Sequence, residues 1–163
     1  MTQVHKNHAI LLIGLPGSGK STYARNFVMN NSDYIILSSD NIIERLAKEE
    51  GKVYNDEAYV NYRDIAEREY KCNLGNAINK KLNIIVDRTN QTIAARRKIL
   101  SRLPKTYKKT AIIFNVTRDE LNKRLEKRRI ETGKEISQQV LDTMVGFYVE
   151  PSMDEGFDEI IKV

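Results

Sequence analysis

The sequence predicts an α/β fold, a parallel β-sheet flanked by helices. Three observations predict it. Short apolar runs recur along the 163 residues with amphipathic stretches between them. The first run empties directly into a glycine-rich loop that opens a helix. Two later runs end in polar, acid-bearing clusters, Ser38-Ser39-Asp40 and Asp87-Arg88-Thr89-Asn90. In such folds ligands sit beyond the carboxyl ends of the strands, so the loop and both clusters are predicted to share one edge.

Residues 9–13 are short, apolar and β-rich and read as a buried strand. The loop that follows is Gly14-x4-Gly19-Lys20-Ser21. Its glycines let the backbone N–H groups turn toward an anion, and the helix opening near Gly19 adds the positive end of its dipole. In this pattern Lys20 reaches the β- and γ-phosphates of a nucleotide and the Ser21 hydroxyl ligates Mg²⁺. Gly14, Pro16, Gly17, Ser18, Gly19, Lys20, Ser21 and Thr22 are therefore the predicted nucleotide-binding set. A turn that merely used glycine would need neither Lys20 nor Ser21. The pattern thus predicts a P-loop that binds a nucleoside triphosphate and leaves open what is done with it.

Residues 18–30 pair Tyr23 with Phe27 and Ala24 with Val28 at helical spacing. Residues 34–37 form a second strand that ends in Ser38-Ser39-Asp40. Asp40 is suited to cap a helix running to Lys48, with Ile42, Ile43 and Leu46 inward. A carboxylate at that place also faces the γ-phosphate and can take the proton of an attacking hydroxyl. The sequence leaves both roles open. Residues 57–79 form a long helix with Tyr62, Ala66, Tyr70 and Leu74 on one face.

Residues 84–86 are a third strand, and Asp87 at its end is placed to orient Mg²⁺ or its water shell. Arg88 follows, and Thr89 and Asn90 either bond the reacting groups or stabilise the turn. Residues 92–103 are a helix whose Arg96 and Arg97 are expected to face the mouth of the site. Residues 105–109 read as a solvated turn, 111–116 as a strand and 119–130 as a helix. On that last helix Arg124 and Arg128 lie four residues apart, where like charges repel. A triphosphate would offset them, making a basic lid; a solvated helix face is the alternative. Residues 137–148 are a final helix and 160–163 a final strand. Tyr54, Tyr59, Tyr62 and Tyr70 suit core packing, with one of them available to stack on a base. His5 and His8 are expected to be solvent-exposed in a polar tail.

Composition narrows the class. With 40% hydrophobic and 30% charged residues, the chain suits a globular protein, expected to be one domain over 1–163. No apolar run approaches the ~20 residues that span a membrane, so no membrane partner is expected. The polar first eight residues lack an apolar signal core. Cys72 is the single cysteine, which excludes an intrachain disulfide and points to the reducing cytoplasm. The net charge of +5 and pI of about 9.2 fit polyanionic ligands, nucleic acid among them.

Taken together these residues resemble the P-loop kinase family of polynucleotide 5′-hydroxyl kinases of phage and animals. The similarity runs through Gly14 to Phe27, Ser38-Ser39-Asp40, Asp87-Arg88-Thr89-Asn90 with Ala95-Arg96-Arg97, Lys123-Arg124 with Arg128, and the close from Pro151 to Phe157. The resemblance implies ATP and Mg²⁺ as cofactors and a nucleic-acid 5′ end as acceptor, with a role in nucleic-acid repair. It implies Asp40 as general base, and Lys20, Arg124 and Arg128 neutralising developing charge. Acceptor contacts are expected from Asp40, Arg88, Thr89, Asn90, Arg96 and Arg97, with Arg45 as a partial substitute for an arginine that the resemblance leads one to expect nearby. An attached phosphatase or ligase domain is not expected. One position departs: where many relatives place an acceptor-binding Arg, three residues after the base, this chain has Ile43, and Arg45 lies on another helix face. Ile43 favours a second reading, a kinase of a small metabolite, nucleoside or aminoacyl-tRNA. The third reading is a weakly catalytic nucleotide-binding module, since the central domain of nuclear ribonucleoprotein U proteins is also similar at 87–97; intact Lys20, Ser21, Asp40 and Asp87 argue against it. Simple NTP hydrolysis is the fourth reading. It needs Asp40 to position water instead of an alcohol.

Overall fold

Five parallel strands in the order β2-β3-β1-β4-β5 form one sheet in the computed structural model, which describes residues 4–163. The strands are β1 (Asn7–Ile13), β2 (Tyr34–Leu37), β3 (Asn83–Asp87), β4 (Tyr107–Ile113) and β5 (Glu159–Lys162). The helices are α1 (Lys20–Asn30), α2 (Ser39–Glu49), α3 (Asp56–Asn79), α4 (Ile93–Leu100), α5 (Arg118–Thr132) and α6 (Gln138–Phe147). β1 is central, paired with β3 on one side and β4 on the other.

Alternation along β1 splits the core in two, because successive side chains point to opposite faces of the sheet. Ala9, Leu11 and Ile13 join Ile84 and Val86 in the larger cluster, which includes Tyr62, Ala66, Tyr70, Leu74 and Ala77 of α3. Ile10 and Leu12 join Ile85, Ile112 and Ala24 of α1, with Tyr23, Phe27 and Val28 packed against them. The expected apolar face of α3 is thus the one that is buried.

Several local expectations need correction. The fourth strand starts at Tyr107 and stops at Ile113, so Lys108 and Lys109 lie in β4 and not in a turn. Pairing with β1 from Asn7↔Tyr107 onward extends it, and Lys108 is tied to Glu159 at 2.6 Å. The fourth helix is shorter than expected, capped by Thr92 and ending at Leu100. His8 is not in a tail. It sits half-buried in β1, its ring nitrogens 2.7 Å from Tyr34 Oη and 2.8 Å from Thr110 Oγ1. His5 is half-buried as well, 3.9 Å from Asp158. Among the described residues no helix is long and apolar enough to cross a membrane.

Candidate active site

The site lies at the carboxyl ends of β1, β2 and β3, where the sequence places its three polar clusters. β1 ends at Ile13 and the loop begins at once. Gly17 has φ +81°, and a Cβ there would come within 2.9 Å of Leu125 Cδ2 on α5, so only glycine lets the loop turn under that helix. Gly19, at φ +103°, caps α1 without a side chain. The first N–H groups of α1 therefore stay free for an anion.

Lys20 is 6% exposed, and its Nζ donates to Leu15 O at 2.7 Å. Burial lowers its pKa to about 8 against the pull of Asp87 and Asp40. An ammonium held in that condition has room for more negative charge than its surroundings supply. Asp87, at the end of β3, is also buried; burial raises its carboxyl pKa, while the Ser21 hydroxyl bonded to it and Lys20 oppose that.

The second cluster resolves one ambiguity. Ser38, not Asp40, caps α2: its Oγ accepts from the Asn41 N–H at 3.2 Å. Asp40 sits in the first turn with its carboxylate free of capping, and Oδ1 accepts from Tyr54 Oη at 3.3 Å. The phenol is mostly buried beside that carboxylate, and both effects hold the Tyr54 hydroxyl protonated.

α5 overhangs the loop. Arg124 donates from Nη1 to Ser18 O at 3.3 Å and is paired with Glu120 at 2.8 Å. Arg128 differs from it. Its Nε and Nη2 are buried and have no hydrogen-bond partner. Burial lowers its pKa, and the charges of Asp40 and Glu44 work the other way. A desolvated guanidinium without partners is costly unless an anion joins it. An anion bound beside Arg128 would offset that cost.

A cavity of about 490 Å³ opens beside Asp40, walled by Pro16, Ile43, Tyr54, Tyr59 and Arg63, with Arg88 and Thr89 at the end of β3 and Val140 and Met144 of α6 opposite. Of the expected acceptor contacts, Asp40, Arg88 and Thr89 reach it. The others do not. Arg45 lies off the cavity, exposed and paired with Glu49 at 3.1 Å and Glu69 at 2.7 Å. Arg97 is exposed and is not among its walls. Asn90, in a left-handed conformation at φ 48°, is buried and donates to Leu12 O at 2.7 Å; it fixes the turn.

Arg96 does not face the mouth either. It is 0% exposed, paired with both Glu155 oxygens at 2.7 Å, and donates to Asn90 O and Val149 O. With Gln91, which donates to Met144 O and accepts from the Val149 N–H at 2.8 Å, it pins the end of α6 to the turn after β3. Arg63, Gln91 and the cavity face of α6 were not legible beforehand as parts of the site, and Tyr54, read as a core or base-stacking ring, bonds Asp40 instead. Their neighbours in space come from distant segments, and no fixed spacing marks them.

The sheet order, the phosphate-binding loop and the overhanging basic helix define a P-loop protein of kinase-type fold. A family model described as an AAA domain matches residues 10–151, and the chain belongs to that family. Three relatives span most of the chain. Human heterogeneous nuclear ribonucleoprotein U-like protein 2 is 24% identical over 164 residues, 96% of this chain and 21% of its own length. A putative bifunctional polynucleotide phosphatase/kinase of Acanthamoeba polyphaga mimivirus is 27% identical, covering 97% of this chain and 33% of its own. The L-seryl-tRNA(Sec) kinase of Methanococcus maripaludis is 28% identical, covering 91% and 55%. The chain thus spans between about a fifth and about half of the length of these relatives. Among solved structures, a chain of the Pnkp1/Rnl/Hen1 RNA repair complex superposes with TM-score 0.69 at 24% identity, over 89% of this chain and 45% of that one. A putative kinase from Chloroflexus aurantiacus gives 0.75 at 15% identity, over 98% and 85%. Both share the fold.

Proposed function

We propose that the chain is an ATP-dependent kinase that transfers the γ-phosphate to a hydroxyl held over Asp40, and that the acceptor is the 5′-hydroxyl of DNA or RNA. One observation carries the transfer chemistry. Pro16 of the phosphate-binding loop and Asp40 wall the same cavity, so a carboxylate free of capping faces the place where the phosphates would end. The viral phosphatase/kinase relative supports the nucleic-acid acceptor.

Each residue then has a task. The backbone N–H groups of Gly17, Gly19, Lys20 and Ser21, together with the Lys20 and Arg128 side chains, hold the phosphates. Ser21 and Asp87 fit Mg²⁺, a hard cation that takes one or two protein oxygens and keeps several waters. When bound, it supplies charge neutralisation on the phosphate oxygens. Asp40 takes the proton of the acceptor hydroxyl as its oxygen bonds to the γ-phosphorus, and the bond from that phosphorus to the β,γ-bridging oxygen breaks, releasing ADP. Lys20, Arg124 and Arg128 offset the charge that develops.

A second reading has its own support. Ile43, 1% exposed, stands where an acceptor-binding arginine is otherwise expected, and the cavity is of a size that encloses a small molecule. On that reading the acceptor is a nucleoside, a small metabolite or an aminoacyl-tRNA. The test is transfer from γ-labelled ATP with Mg²⁺ to 5′-hydroxyl oligonucleotides of DNA and RNA, beside a panel of free nucleosides and small alcohols. Label on the oligonucleotide end supports the first reading. Label only on small acceptors supports the second.

A further inference from the structure

The acceptor cavity has two walls of different origin. On α3, Tyr59, Arg63 and Glu67 follow one another at intervals of four and so share a face, with Val60 beside them. On α6, Gln139 with Thr143 and Val140 with Met144 do the same. Tyr59 and Val60 are exposed at the rim, 42% and 59%, although both are large and apolar. The slot between the helices is apolar and flanked by an aromatic ring, while its floor holds the carboxylate of Asp40.

Its charges can be followed one by one. Arg88 is bonded to Glu67 at 2.8 Å and lies over the Tyr70 ring, so it is already engaged. Asp56 accepts from the Ser137 N–H. Arg45 and Arg96 are engaged elsewhere, as described above. Arg63 remains. Its nearest carboxylate is that of the adjacent Asp64 at 3.9 Å, outside hydrogen-bonding distance, on a side chain 55% exposed. Among the described residues of the cavity wall, Arg63 is the cation whose guanidinium is least engaged.

We propose that Arg63 recognises the acceptor: it binds the phosphate joined to the reacting nucleoside, whose ring lies between Tyr59 and Val60 of α3 and Val140 and Met144 of α6. The assignment rests on the nucleic-acid reading given above, and it explains how Ile43 is tolerated. The arginine comes from the next helix instead of from α2. Ring stacking on an aromatic face and a guanidinium on a phosphate are sequence-tolerant contacts, so the slot would accept any base.

The experiment compares thymidine with thymidine 3′-monophosphate as acceptors, in the wild type, Arg63→Gln and Arg63→Lys. The wild type is expected to show a KM at least ~10-fold lower for the 3′-monophosphate, as a charge-assisted contact allows. In Arg63→Gln the two KM values converge, and the loss falls on KM of the phosphate-bearing acceptor far more than on kcat. Arg63→Lys recovers part of the difference. A preference that survives in Arg63→Gln overturns the assignment. Equilibrium binding of the same two compounds separates the two levels of the argument. Arg63-dependent binding of the 3′-monophosphate without transfer leaves Arg63 as the phosphate contact and fails the kinase reading. Equal binding of both compounds by the wild type overturns the Arg63 assignment itself.

Discussion

On the proposed assignment, the phosphate side and the acceptor side of the site are built differently. The phosphate side is continuous in sequence: one strand, one loop and the first turn of one helix, with Gly17 and Gly19 at positive φ and Lys20 buried behind them. The acceptor side is assembled from the start of α2, the face of α3 and the face of α6, joined by long-range contacts such as Gln91 to Met144 O. Backbone geometry dictates the first and leaves a fixed spacing. Side-chain faces make the second, and they can be rebuilt without disturbing the sheet. A kinase fold can therefore keep its donor chemistry while its acceptor changes.

The arginines sharpen that contrast. Arg96 is buried with each guanidinium nitrogen bonded; Arg128 is half-buried, with Nε and Nη2 unbonded. The largest expected effect comes from Arg96. Replacing it with Met leaves Glu155 buried without its partner and frees the end of α6, so stability should fall by roughly 3–5 kcal/mol. Urea unfolding checks this; a loss below about 1 kcal/mol would mean that Arg96 does not anchor the acceptor wall.

Arg128→Gln should act the other way round. It removes a cation that pays for no protein contact, so the fold should hold while kcat falls ~100-fold or more, the scale of a lost transition-state donor. Steady-state kinetics with a melting curve separates the two effects. A large stability loss with normal kcat would move Arg128 to the structural class of Arg96.

Lys20 gives a pH dependence on the phosphate side. With its pKa near 8 before nucleotide binds, Lys20 is charged at pH 7 and largely neutral at pH 9. Bound phosphates raise that pKa, so binding takes up a proton around pH 8 to 9 and affinity falls as pH rises through that window. Calorimetry in buffers of different ionisation enthalpy measures the uptake. Binding without proton uptake, at constant affinity from pH 7 to 9, would contradict it.

The smallest effect tests the division of labour at α2. Ser38→Ala should cost ~1 kcal/mol, the usual weight of an N-cap, and leave Asp40 chemistry largely in place. A collapse of turnover in a stable Ser38→Ala protein would show that the cap and the base act as one unit.

The sheet, the loop and the basic helix were legible because each imposes a pattern: short apolar runs in the strands, spacing in the loop, i,i+4 arginines on α5. Asp40 was placed correctly at the strand end, but its capping role was not decided, since Ser38 and Asp40 are both good caps. Arg96 misled, and Asn90 stayed undecided, for one reason. A polar side chain after a strand looks the same in sequence whether it faces a ligand or satisfies buried carbonyls. His8 misled through its polarity, yet β4 extends far enough to pair beside it. Arg63 carried no signal because its meaning depends on which other arginines are already engaged.

The most direct test of the central claim is γ-phosphate transfer to a 5′-hydroxyl oligonucleotide by wild type and Asp40→Asn, with nucleotide binding measured in parallel. The account predicts transfer by the wild type, a loss of at least ~100-fold in Asp40→Asn, and nucleotide affinity retained in both. Undiminished turnover in Asp40→Asn would contradict it, because the carboxylate at the cavity floor would then have no part in the chemistry.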